Sequence, residues 1–159
     1  MLLTCLIVVA AVGSGLVAGL LFTFSTFVMK ALGQVAPSHG IEAMQAINLT
    51  VMNPITMGAF MGTAGLSLAS VGVAILNWQM PSSVWLFAGG LLYLASFIIT
   101  AAGNVPMNEA LASMDASASS TAEYWQHYLN RWTFFNHVRT VAATFAMAAY
   151  ILALPSLSA

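Results

Sequence analysis

Three polar side chains crowd one short stretch near the end of this chain, Asn136, His137 and Arg139, with Trp132 just before them. An imidazole changes charge closer to neutrality than any other ordinary side chain, so His137 could act as a general base. It could equally be a core histidine satisfied by Thr133 or Thr140. Arg139 is a fixed cation well inside an apolar segment, where an arginine costs on the order of 3 kcal/mol. Such a residue either snorkels to the lipid headgroups or meets an Asn, Glu42 or an anionic ligand in a cavity. Asn136 and Trp132 beside it favour the cavity.

Amides form a second constellation: Gln45, Asn48 and Asn53 in one region, Asn104 and Asn108 in another. Single amides in membrane helices often join helices, at ~0.6–2 kcal/mol each. Gathered at one end beside Arg139 and His137, they predict a polar, ligand-binding cup under an apolar roof. A metal site is weaker. The candidate ligands are His137, His39 and Glu42, with His127 and Glu109 nearby, and His39-x-x-Glu42 reverses the usual order of a helical Glu-x-x-His pair. A haem needs one axial histidine, which His137 or His39 could supply. No cofactor is assigned. Haem or a transition metal stands as the alternative.

The elements that position these groups follow from the charge pattern. Hydrophobic residues make up 60% of the chain and charged ones 4%, against roughly 25% charged in soluble domains. Every charge falls within Lys30–Glu42 or Glu109–Arg139. The chain therefore reads as an all-α integral membrane protein. A net charge of -1 gives no reason to expect nucleic acid as a partner. Cys5 is the only cysteine, so no disulfide can form within the chain.

One crossing takes about 20 residues at ~1.5 Å each. The apolar stretches then give a single transmembrane domain, 1–159, with four spans at about 2–29, 54–76, 84–103 and 132–154. The first is read as a retained span, not a signal peptide. Ile41–Asn48 has apolar and polar residues on opposite sides and predicts a short amphipathic helix between spans one and two. Asn53-Pro54 is a good helix start. Pro106 removes a helical hydrogen bond and ends the third span. Ser120 with Glu123 reads as a capping box opening a long extension ahead of the fourth span.

On that last helix Trp125, Tyr128, Trp132, Asn136 and Arg139 make one stripe at spacings of three and four, while Glu123, His127 and Arg131 make a solvated face. Gly15 with Gly19 and Gly58 with Gly62 allow close helix contacts, within the chain or between copies in a homo-oligomer. An even number of spans puts both charged windows on one side. Three basic residues there, and none opposite, make that side cytoplasmic and both termini outward, in a plasma or inner membrane.

These segments resemble the anthrone-oxygenase-like family of small four-span membrane proteins. The resemblance rests on Phe24-Ser25-x-x-Val28-Met29, on Ala43 to Asn48 followed by Asn53-Pro54, and on Asn104-Val105-Pro106-Met107-Asn108. Trp125-x-x-Tyr128 and Trp132-Thr133-x-x-Asn136-His137-Val138-Arg139-Thr140 complete it. The chain departs in having Lys30 where a proline commonly follows Val-Met.

The resemblance implies an oxidoreductase that uses dioxygen on a lipophilic aromatic, converting an anthrone to a quinone through an enolate. That chemistry needs a base, donors for the anion and a dry pocket for a flat ring system. His137 would be the base. Arg139, Asn104, Asn108 and Asn136 would hold the anion, Trp132 would carry the ring, and Gln45, Asn48 and Asn53 would complete the substrate pocket. The alternatives are a haem or metal protein using the same pocket, and a non-enzymatic membrane partner or small transporter.

Overall fold

The computed structural model describes residues 1–155, and every regular element among them is helical. In chain order these are α1 (Leu2–Leu32), α2 (Pro37–Thr50), α3 (Pro54–Leu76), α4 (Ser83–Ala112) and α5 (Ser119–Ala153).

Among the described residues three helices, α1, α3 and α4, are long and apolar enough to cross a membrane. The sequence predicted four. The difference lies in α5, whose apolar half contains Asn136, His137 and Arg139 and so falls short on composition. Its polar stripe is nonetheless its buried face: Trp125, Tyr128, Trp132, Asn136 and Arg139 are all under 6% exposed. The helix packs along α1 on one side and α4 on the other, while α3 packs along α4 and α1. The four long helices thus close a ring, and α5 turns its polar groups into it.

Two of the helices run on through a wide turn. In α1 it covers Phe24–Val28 and in α4 Thr100–Asn104, where the Val105 N–H bonds back five residues to the Thr100 carbonyl. Pro106 has no N–H and its ring crowds the carbonyl four residues back. Widening the turn just ahead of it makes room, so the helix does not end near Gly103 as predicted but continues to Ala112. Wide turns of this kind recur at functional sites.

Apolar packing is layered along the ring. Ile7, Ala74, Leu86 and Tyr150 fill the uncharged end, and Val17, Leu21, Ala64 and Tyr93 the middle. At the charged end α2 lies across the opening, with Ile41 and Met44 fully buried against Leu111, Trp125, Tyr128 and Trp132. It begins earlier than the predicted Ile41, because Pro37 takes the first helical position. Gly40 lets it dock: a Cβ there would stand 2.6 Å from the Leu32 carbonyl oxygen and 3.1 Å from the Trp125 ring.

The predicted glycine pairs are not where the helices meet. At Gly19, Gly58 and Gly62 a Cβ would touch nothing within 4 Å, and at Gly15 only the Met147 side chain. A close approach of backbones is at Gly90, where a Cβ would lie 2.7 Å from the Ser67 carbonyl oxygen of α3. The predicted capping box is also absent. Helix α5 starts at Ser119 with Ala118 as its N-cap, which places Ser120 inside the first turn. Asn53 does cap α3, its Oδ1 accepting from the Ile55 and Thr56 N–H groups at 3.1 and 3.0 Å.

Candidate functional site

A cavity of about 300 Å³ lies beneath α2, between α1 and the first turns of α3. Its polar groups come from α2, α3, α4 and α5: Asn48, Thr56, Thr100, Asn108, Trp132 and Arg139. Much of the remaining lining is apolar, including Leu20, Leu21, Phe24, Met44 and Phe60. Arg139 is the one charged residue that faces it.

Arg139 is 4% exposed, and its hydrogen-bond partners are neutral. One guanidinium N–H donates to Thr100 Oγ1 at 3.1 Å and another to Asn136 Oδ1 at 2.6 Å. The Nε donor has no partner among the described residues. The guanidinium carbon sits 5.2 Å from the centre of the Trp132 ring, an arrangement that stabilises a cation when desolvated. Glu42, expected as one of its partners, is exposed on α2 and does not reach it. A buried cation without a counter-ion is costly, and the open space beside it is where an anion would offset that cost.

Asn136 fixes Arg139 and is itself fixed. Its Nδ2 donates to the Leu21 carbonyl and to Ser25 Oγ, both at 2.7 Å. Leu21 stands just ahead of the wide turn in α1, where its carbonyl accepts from the Phe24 N–H, three residues on. The Thr140 hydroxyl donates to the Asn136 carbonyl, which leaves Ser25 as the donor in its 3.0 Å contact with Thr140. Thr100, at the start of the other wide turn, donates to the Ser96 carbonyl and so keeps its lone pair for Arg139.

The ring wall is fixed in the same way. Trp125, Tyr128 and Trp132 stack along α5 at centroid spacings of 5.4 and 6.2 Å, and Phe24 meets Trp132 at 5.6 Å. Asn108 Oδ1 accepts from Tyr128 Oη at 2.7 Å and from Trp132 Nε1 at 2.8 Å. Burial holds the Tyr128 phenol well above its ordinary pKa, so it remains a donor. Asn108 turns its acceptor to the aromatic pair. Its amide N–H groups are not engaged by them. Asn48 touches Tyr128 Oη only at 3.5 Å, the outer limit of a hydrogen bond.

The other predicted site residues lie elsewhere. Gln45 donates to the Leu111 and Met114 carbonyls at 2.8 and 3.0 Å, tying α2 to the end of α4 and holding the two charged windows at one end of the molecule. Asn53 is the helix cap described above. Asn104 is buried behind Trp132, donating to its carbonyl at 3.1 Å, with no partner for its Oδ1 among the described residues. His137 is exposed and faces a different space, an open groove of about 540 Å³ that it shares with Lys30, Gln34 and Thr133. Neither His137 nor His39 lines the cavity.

His39 and Glu42 are exposed on α2. Among the described residues no three His, Cys, Asp or Glu side chains come together.

Sequence reasoning missed Thr100, Ser25 and Thr140. A signal for Thr100 was present: Ser96, Thr100, Asn104 and Asn108 recur every four residues, a polar stripe in an otherwise apolar helix. Ser25 stands in one of the motifs that carry the resemblance, but its role was not legible there, because it depends on the irregular turn that contains it.

No curated protein and no solved structure matches the chain. A family model described as anthrone oxygenase matches residues 48–149. That range runs from the end of α2 through α3, α4 and most of α5, and it contains Asn48, Thr100, Asn108, Trp132, Asn136 and Arg139. The α1 wall of the cavity lies outside it. On this match, the chain belongs to the anthrone oxygenase family.

Proposed function

We propose that this membrane protein oxidises a lipophilic, weakly acidic polycyclic aromatic of the anthrone type with dioxygen, in the cavity beside Arg139. The single observation behind this reading is the buried guanidinium with only neutral partners and an unengaged N–H, facing a largely apolar space. A cation so placed favours the ionised form of any weak acid bound next to it.

The reaction balances without a further redox partner. An anthrone methylene loses a proton and becomes an enolate, whose negative oxygen lies against Arg139. The enolate passes one electron to dioxygen, and the two radicals join in a carbon–oxygen bond. Protonation of the distal oxygen gives a hydroperoxide. Loss of the second methylene proton breaks the oxygen–oxygen bond, leaving a carbonyl and expelling hydroxide, which takes up a proton to become water. One dioxygen is consumed for each quinone and each water formed.

In this scheme Arg139 stabilises the enolate, with the free Asn108 amide as a second donor. Asn136 and Thr100 are positioning residues for the guanidinium. Trp132 and Phe24 hold the flat ring. The proton-taking step falls to water and to the field of Arg139; His137, in its own groove, has no step. Helix α5 completes a four-span arrangement, its polar groups tolerated because they face the ring interior.

The test is oxygen uptake by purified protein supplied with an anthrone. The expected result is a catalysed rate, with one dioxygen per quinone, that falls at least about 100-fold in Arg139→Met, equivalent to ~3 kcal/mol of lost transition-state stabilisation. A variant that keeps the wild-type rate would remove the anion site from the mechanism.

A further inference from the structure

The floor and the rim of the cavity differ in kind. Thr100, Asn108, Trp132 and Arg139 lie at the floor. At the rim, Leu16, Leu20, Met52 and Ile55 also line the cavity, yet they are 64%, 40%, 66% and 85% exposed. They belong to α1, to the link between α2 and α3 and to the first turn of α3, and all four are apolar.

Helices α1 and α3 press together nearer the uncharged end. A Cβ on Gly13 would overlap the Thr63 hydroxyl, and Val17 and Leu21 share a core with Ala64. Beyond that point, toward the charged end, the cavity itself occupies the space between them.

The polar groove is no way in. It is walled off from Arg139 by the buried contacts of Asn136 with Leu21 and Ser25, and of Ser25 with Thr140.

We propose that the ligand arrives sideways from the hydrocarbon layer, through the gap between α1 and α3, with Leu20 and Ile55 as its two posts. The proposal deepens the functional reading and takes its ligand class from it. The traveller is a neutral, flat, lipophilic weak acid that leads with its acidic oxygen. It must cross in its protonated form, since an anion is costly in hydrocarbon, and it ionises only on reaching the guanidinium. A cavity of about 300 Å³ is at the small end of ligand sites, which suits a few fused rings and no long side arm.

The experiment uses the whole protein in lipid vesicles and a hydroxyanthraquinone, a lipophilic weak acid whose absorption moves to the red on ionisation. Wild-type protein should produce the red-shifted band. In the double variant of Leu20→Trp with Ile55→Trp the band should form roughly ten-fold more slowly, and on dilution of the dye should decay more slowly by a similar factor, an effect on passage in both directions. A thermal midpoint close to that of the wild type reports an intact fold. Leu20→Ala with Ile55→Ala should form it faster. Thr133→Trp, in the polar groove, should change nothing.

A wild-type rate in the double tryptophan variant, or slowing by Thr133→Trp instead, overturns the lateral route while leaving the site standing. No red shift in the wild type overturns the ionising site, and the route with it. A red shift that persists in Arg139→Met overturns the assignment of the cation alone.

Discussion

Asn136 Oδ1 accepts from an Arg139 guanidinium N–H at 2.6 Å, three residues further along the same helix, and this short contact decides what the cavity can hold. The partner is neutral. It directs the cation without discharging it, so the site's attraction for an anion is left intact. An aspartate in the same place would direct it equally well and cancel that attraction.

Asn136→Asp should therefore weaken binding of an ionised ligand by at least about tenfold, ~1.4 kcal/mol, because the new carboxylate acts as an internal counter-ion. Asn136→Leu removes the orientation but leaves the charge. It should retain affinity within a few-fold while turnover falls. Titration of the red-shifted band beside steady-state rates separates the two, and similar affinities in both variants would discredit the counter-ion argument.

Asn108→Ala strips the acceptor from two donors, Tyr128 Oη and Trp132 Nε1. Each orphaned donor costs about 1–3 kcal/mol if it stays dry. The thermal midpoint in detergent should drop clearly, and more than in Tyr128→Phe, which loses one hydrogen bond worth about 0.5–1.5 kcal/mol. Equal midpoints for the two variants would mean that Asn108 does not hold the indole.

Tyr128 also sets an alkaline limit. Burial raises the phenol's pKa in the folded protein, so its contribution to stability is complete below the unfolded value of about 10 and is lost as pH climbs beyond that through the raised one. Tyr128→Phe should flatten the alkaline fall in stability. A wild-type fall in the variant would trace the effect to other groups.

His137→Ala should retain turnover within about two-fold, as exposed substitutions away from a site usually do. The same sample addresses the haem alternative. A Soret band in wild-type protein that vanishes in this variant would move the chemistry to the second groove and end the cofactor-free reading.

The arrangement of spans can be checked by labelling. Cysteines placed at Glu42 and Glu109, with the exposed native thiol removed by Cys5→Ala, should react with an impermeant reagent from the same compartment. Labelling from opposite compartments would be incompatible with α3 and α4 both crossing, and with the two charged windows sharing one face.

The helical class, the two charged windows at one end, the buried face of α5 and the Asn53 cap could all be read in the sequence, because each follows from spacing or from a local hydrogen-bonding rule. The cavity's cation and its ring platform, Arg139 and Trp132, were legible for the same reason: costly residues on one stripe of an apolar helix require an interior. What could not be read depends on where chains meet in space. Gln45 was placed in the pocket but joins α2 to α4. His137 is two residues from Arg139 and so lies about 200° away on the helix, on the side of another groove. The cap of α5 and the contacts of Gly90 depended on one-residue differences in where helices begin and how they cross.

The wide turns in α1 and α4 set the angular phase of everything that follows them. Each takes up one residue more than a regular turn, so the same chain wound as unbroken α-helix through 24–28 or 100–104 would carry its downstream side chains round by about 100°. Lys30 would leave its groove in the first case, and Asn108 would turn from the indole in the second. The site's sensitivity is thus to the winding of two five-residue stretches as much as to residue type. Ironing either turn into regular helix at unchanged length would be expected to disarm the protein while leaving its apolar exterior, and its place in the bilayer, unchanged.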